Sequence, residues 1–292
     1  MHAEARGAPD SRSSVEARVS HARLGTDSVV WKVNAEVVVI LGWARAILLQ
    51  LAHPLVAAAI AEHSTFRSHP GGRLARLRQT VRAMLALTFG TDEEVAAAAR
   101  AINAIHDRVH GRRDGRAGPF AMESYSAHDP ELLRWVHATL LDSLPLVYEL
   151  YVGPLTPEEK DRYCAEATGM EALLGIPEGY LPASQAALRA YMASMLSSGA
   201  IFVTDEARAL AHDVLVAPGS PALWPLLTIA RLPTIGLLPP ALREAYGFPW
   251  SRRHERAMRV SAAAIRAVVS RTPPLLRHWS LARAAYRRVS RE

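Results

Sequence analysis

Arg76 and Thr80 stand four residues apart in RLARLRQT (73–80), and His106 and His110 stand four apart in HDRVHG (106–111). On a helix that spacing puts both members of a pair on one face. An arginine fork suits a carboxylate. An imidazole is the commonest metal ligand and a normal axial ligand for haem iron. His106 also lies on or beside an apolar stripe, because Val95, Ala98, Ala99, Ile102 and Val109 follow three-four spacing. A lone histidine in such a place is ordinarily a satisfied core residue. HxxxH is a zinc or di-iron spacing when a carboxylate stands near. Here Asp107 follows His106 and no HExxH occurs, while His110 borders a loop and reads as solvated. Arg76 and Thr80 flank the stripe Leu77, Val81, Met84 and Leu85, but Arg73, Arg78 and Arg82 also allow an exposed basic helix.

Other polar groups fall at the ends of apolar helices. Gln50 and His53 close one in QLAHP, and Glu62 and His63 close the next in EHS. Such residues cap a helix or line a pocket between helices. His128 lies in the turn entering a helix whose cap is Asp129 and whose first residue is Pro130. His137 lies beside Leu133 and Leu140 on its inner side. Taken singly, each of these histidines reads as structural.

The elements that must position them are helices throughout. The periodicity predicts helices over about 27–52, 54–62, 73–89, 91–110, 129–151, 156–173, 183–198, 204–215, 221–231, 239–246, 251–271 and 275–290. Gly90 suits a C-terminal cap. Thr91 with Glu94 and Thr156 with Glu159 form capping boxes. Residues 111–121 are expected as a polar loop, and no strand pattern emerges. The expected fold class is all-α: a loose lead-in at 1–26, then one multi-helix domain over 27–292 with a pocket between core helices.

At 292 residues, half of them hydrophobic, the chain can bury a sizeable core. Its net charge is +6, and Lys32 and Lys160 are its only lysines. The basic tails carry no nucleic-acid-binding motif, so nucleic acid is not an expected partner. Contact with an acidic membrane surface, at most peripheral, is compatible. One cysteine, Cys164, excludes internal disulfides and CxxCH haem attachment and suits a reducing compartment. The N-terminal stretch has no apolar core of the signal-peptide kind, so a cytoplasmic location is expected. The most apolar run, 37–52, is shorter than a membrane span and holds Arg45; a buried core helix is expected there.

Together GWARAILLQLAHP (42–54), EHSTF (62–66), RLARLRQT (73–80), HDRVHG (106–111) and YSAHDPELLRWVHATL (125–140) give a resemblance. With LTPEEKDRYCAE (155–166), LLGIP (173–177) and GLLPPALREAYGFPW (236–250), the sequence resembles the rubber-oxygenase family over about 27–250. That family comprises latex-clearing proteins and MpaB-type oxygenases. The resemblance implies an all-helical fold holding non-covalent haem b, with His106 as proximal iron ligand and Arg76 and Thr80 near the haem. It implies dioxygen as co-substrate. Rubber-cleaving members carry a lysine directly before the motif threonine; Gln79 stands there in this chain. A glutamate on the preceding helix is the family's proposed base, and Glu62 is the matching candidate.

The sequence thus supports a haem b-dependent oxygenase acting on an apolar small molecule, isoprenoids included, with an electron donor as a further partner. Glu62, or second to it His63, moves a proton, while His53 and His137 join His106, Arg76 and Thr80 around the cofactor. Two alternatives stand: a non-catalytic haem or lipid carrier of the same fold, and a non-haem metal protein using His106 and His110 with His53, His63 or His137.

Overall fold

The computed structural model describes residues 24–63, 72–113, 119–215 and 224–291, with backbone alone at 72–77 and 224–229. The lead-in at 1–26 therefore falls almost wholly outside the described residues. The chain runs as α1 (Val29–Asn34), a 3-10 turn (Val37–Val39), α2 (Ile40–Leu51), α3 (Pro54–His63), α4 (Gly72–Phe89) and α5 (Asp92–His106). Then come β1 (His110–Arg112), β2 (Ser124–Ser126), α6 (Pro130–Tyr151), α7 (Pro157–Ala167), α8 (Met170–Leu174), α9 (Gln185–Ser197) and α10 (Asp205–Leu215). The chain closes with α11 (Trp224–Gly236), α12 (Pro240–Ala245), α13 (Arg252–Val269), α14 (Pro274–Arg277) and α15 (Ser280–Val289). The fold is all-α, with one small two-stranded ribbon.

The helix expected over 27–52 is three pieces. Glu36 leaves the helical path in an extended conformation. Its carboxylate is 2% exposed and meets His278 Nε2 at 3.1 Å and Arg277 Nη1 at 3.3 Å. A buried carboxylate needs such partners, and they lie on the far end of the chain. Glu36 and His278 also form a β-bridge, and the Trp279 N–H donates to the Ala35 carbonyl at 3.0 Å. The C-terminal helix expected over 275–290 is broken at the same place, between α14 and α15.

The centre of the core is the crossing of α2 and α6. Gly42 makes it close, since a Cβ there would lie 2.9 Å from the Ser143 carbonyl oxygen. One turn along, buried Arg45 donates from Nη1 to Asp142 Oδ2 at 2.7 Å and Ser143 Oγ at 2.6 Å. Its Nε donates to the Leu237 carbonyl at 2.8 Å, so the one charge in the apolar run joins α2, α6 and the end of α11. Leu48, Leu49, Leu51, Trp135, Ala138 and Leu144 fill the space around it.

α4 and α5 form an antiparallel hairpin. The turn Gly90 is not left-handed. Its glycine is required by close approach instead: a Cβ would lie 2.4 Å from the Ala86 carbonyl oxygen. The Thr91–Glu94 and Thr156–Glu159 capping boxes are both formed. α5 stops at His106, short of residue 110, because the chain turns into the β1–β2 ribbon, paired His110 to Ser126, Gly111 to Tyr125 and Arg112 to Ser124. Part of the expected 111–121 loop is thus strand; its residues 114–118 lie outside the described residues. A three-residue strand is too short to show alternation, which is why the pattern missed it.

Among the described residues no single helix is long and apolar enough to cross a membrane. Residues 37–51 and α3 pass together by length and composition only, bent by 107°. The α2 and α3 side chains Leu48, Leu49, Leu51, Leu55 and Val56 are buried in the core.

Candidate functional site

Three imidazoles gather where α5 ends and α6 begins. His106 is the last residue of α5. Its Nδ1 is shielded from solvent and has no hydrogen-bond partner among the described residues. His128, in the turn before α6, presents its ring edge to the His106 ring with 5.7 Å between centroids, and its Nε2 meets Asp107 Oδ1 at 2.8 Å. His137, two turns into α6, is close enough for the charge of His106 to bear on it. Local sequence fixes this arrangement. Asp129 caps α6 by accepting from the Glu131 N–H at 2.9 Å, Pro130 opens it, and the Ala127 N–H donates to the Val109 carbonyl at 2.8 Å.

The electrostatics favour the neutral form of His106 and His137. Burial lowers the His137 pKa to about 4, and neighbouring His106 adds to the effect. Burial also lowers the His106 pKa, with His128 acting in the same sense and Asp107 opposing. A neutral imidazole is the form that binds a metal.

A second group lies where α3 meets the ribbon. The Tyr125 phenol donates a hydrogen bond to Glu62 Oε2. His63 Nε2 lies 3.1 Å from the His110 carbonyl oxygen, and its ring stands edge-on to Tyr125 at 6.0 Å. Gly111 makes room: a Cβ there would lie 2.6 Å from the Tyr125 hydroxyl and 3.1 Å from Glu62 Oε2. Glu62 and His63 therefore share one end of α3 with Tyr125.

The other expected residues divide. His53 is buried, stacks on Phe120 at 4.9 Å, and accepts from the Leu55 N–H through Nδ1 at 3.3 Å. Burial lowers its pKa to about 4, with Asp129 opposing. Its ring is thus already engaged by the protein. Thr80 is exposed on α4, which corrects its expected inward placement: the hairpin buries Val81 beside it and turns Thr80 out. Arg76 belongs to α4, and its side chain lies outside the described residues. Residue 76 lies fourteen before Gly90 and His106 fifteen after Thr91, so the hairpin sets them at about the same level. His110 is exposed, as expected. Among the described residues no group of three or more His, Cys, Asp or Glu is arranged to hold a metal ion.

Sequence reasoning missed three features. Tyr125 was legible only as part of a motif, since nothing local announces its bond to Glu62. Phe120 and Met122 adopt left-handed backbone with φ of 61° and 64°, a strain that bends the chain so that Phe120 reaches His53. Arg134 lies one turn before His137; its guanidinium sits 4.3 Å from the Tyr191 ring centroid and 5.6 Å from that of Tyr180, and its Nε has no hydrogen-bond partner among the described residues.

Residues 31–267 match the sequence model of the family described as "ER-bound oxygenase mpaB/B'/Rubber oxygenase, catalytic domain". The chain belongs to this family of oxygenase catalytic domains. Among curated proteins it is similar to Uncharacterized protein Rv2237 of Mycobacterium tuberculosis and Uncharacterized protein Mb2261 of Mycobacterium bovis. Each is 28% identical over 218 residues, covering 72% of this chain and 80% of the relative. No solved structure matches.

Proposed function

We propose that this chain is a haem b oxygenase that uses dioxygen on an apolar small molecule, isoprenoids among them. The observation that carries the reading is the orphaned, solvent-shielded Nδ1 of His106 on a ring that burial keeps neutral. A buried polar atom without a partner calls for a ligand, and the described residues supply none. The residues present fit the group. His106 would hold the iron, His137 and the Asp107–His128 pair would set the polarity beside it, and Arg134, whose Nε has no hydrogen-bond partner among the described residues, offers a cation to a carboxylate. Arg76 keeps the role the family resemblance implies, near the haem. When bound, haem supplies the iron at which dioxygen is activated for reaction with substrate.

The chain's own part is positioning and proton movement. Glu62, held by the Tyr125 phenol, accepts a proton from the substrate, and His63 is the second candidate. The buried apolar faces of α2, α3 and α6 provide walls that exclude water. A free, buried Cys164 agrees with a reducing, cytoplasmic compartment. The carrier reading is favoured by one observation, Gln79 where rubber-cleaving members have lysine.

The test is an absorption spectrum and pyridine haemochrome assay of protein from haem-supplied cells. A Soret band with about one haem b per chain supports the reading. A colourless protein that also refuses added hemin overturns it. Dioxygen uptake with apolar substrates then separates oxygenase from carrier.

A further inference from the structure

The C-terminal part of the molecule carries a surface that the site does not use. α13 turns Met258, Ala262, Ile265 and Val269 toward α6 and α11. Its outer face, by the 3.6-residue turn, holds Arg253, Arg256, Val260, Ala263, Ala264 and Ala267, all exposed. Large apolar side chains cluster along this stretch with their surface in solvent: Val260 at 61%, Val268 at 66%, Leu275 at 62% and Leu276 at 73%. Two adjacent leucines this exposed, at the tip of α14, are not covered by any described residue.

The charge is equally one-sided. From Arg256 to Arg291 there is no Asp or Glu, and there are nine arginines. Four of them are engaged: Arg271 with the Ala267 carbonyl, Arg277 with Glu36, Arg283 with the Leu275 carbonyl, and Arg288 with the Phe89 and Gly90 carbonyls. Arg256, Arg259, Arg266, Arg287 and Arg291 are exposed, and none forms an ion pair among the described residues.

We propose that α13 and the Leu275–Leu276 tip form a docking surface for an anionic phospholipid bilayer, with the leucines entering the headgroup layer and the exposed arginines meeting lipid phosphates. Apolar side chains flanked by arginine are the pattern of an interfacial helix, and the one acid on α13, Glu255, accepts from the Trp250 indole N–H at 3.1 Å. Arginine binds phosphate in a two-point grip. Charge argues against a second copy as occupant, because two such faces repel.

The test is sedimentation of the full-length protein with vesicles of phosphatidylcholine alone and of phosphatidylcholine mixed with phosphatidylglycerol. Binding only to the phosphatidylglycerol vesicles, weakened by salt, is expected. Leu275→Ser with Leu276→Ser should weaken it by more than about tenfold. Arg256→Gln with Arg259→Gln should weaken it and reduce its salt dependence. These residues are exposed, so circular dichroism should show each variant folded. Equal binding to both vesicles, no binding, or binding indifferent to both variant pairs overturns the proposal. So does a lipid-free dimer, seen by light scattering, that Leu276→Ser splits. The haem spectrum bears on none of these outcomes, so the two readings fail separately.

Discussion

The rings of His106 and His128 stand edge to face, 5.7 Å apart, and His128 is held in turn by Asp107, the residue directly after His106. One short circuit therefore orients the end of α5 against the turn that starts α6.

The circuit makes His106 the residue to remove first. His106→Ala should fold, since His106 is only half-buried at a helix end, but should lose the Soret band in the haem-loaded protein. His128→Ala should keep the band and shift it. Unchanged ligation in His106→Ala would falsify the assignment of the proximal ligand.

Removing the Tyr125 hydroxyl isolates the proton-handling group. Tyr125→Phe keeps the ring on His63 and deletes the bond to Glu62. Expected is a fall in kcat of about tenfold to a hundredfold with an altered pH profile, as for a general base of changed basicity. Haem content should stay as in the wild type. Glu62→Gln should lose more, and a Tyr125→Phe enzyme with an unchanged pH–rate profile would remove Glu62 from the mechanism.

Stability should depend on pH through His53. Its folded pKa, about 4, lies below the ordinary value of 6.5. The unfolded chain therefore takes up the proton first. Stability is full above about pH 6.5, falls as pH drops through the window, and levels off below about 4. At about 1.4 kcal/mol per pH unit, the gap corresponds to roughly 3 kcal/mol for this buried ring. Urea melts between pH 7.5 and pH 4 check it. His53→Gln should make the fall smaller and leave the share of His137, whose pKa burial also lowers to about 4, and a wild type equally stable at both ends contradicts the account.

Arg45 should be costly to lose. Arg45→Ala leaves Asp142, Ser143 and the Leu237 carbonyl without their donor inside the α2–α6 crossing. Breaking a buried pair from one side costs about 3–5 kcal/mol, and because Asp142 is partly exposed the lower end is expected. Chemical denaturation gives the number, and a loss under about 1 kcal/mol would show the network to be dispensable.

Local signals in the sequence were enough for the capped helices: Thr91 with Glu94, Thr156 with Glu159 and Asp129–Pro130 each mark a start that the structure keeps. The break at Glu36 could not be read there, because its cause, Arg277 and His278, lies some 240 residues away. The same limit applied to the site. His106 was visible from its stripe and His137 from its neighbours, yet only the tertiary fold brings His128 to His106 and Tyr125 to Glu62. Thr80 was misplaced because a residue flanking a stripe can turn either way, and the packing of α4 on α5 decides.

Trp31 is roofed by Ala282 and Ala285, and its ring meets Tyr286 edge-on at 5.2 Å. A ribosome makes that roof last. At about 5–20 residues per second, Trp31 and the partners it finds early wait roughly 12–50 s for the last helix to emerge. Until then an aromatic surface stands open to chaperones and to neighbouring nascent chains. A transcript cut short before Ser280 should therefore yield a sticky, rapidly degraded product, however complete its active-site segments are.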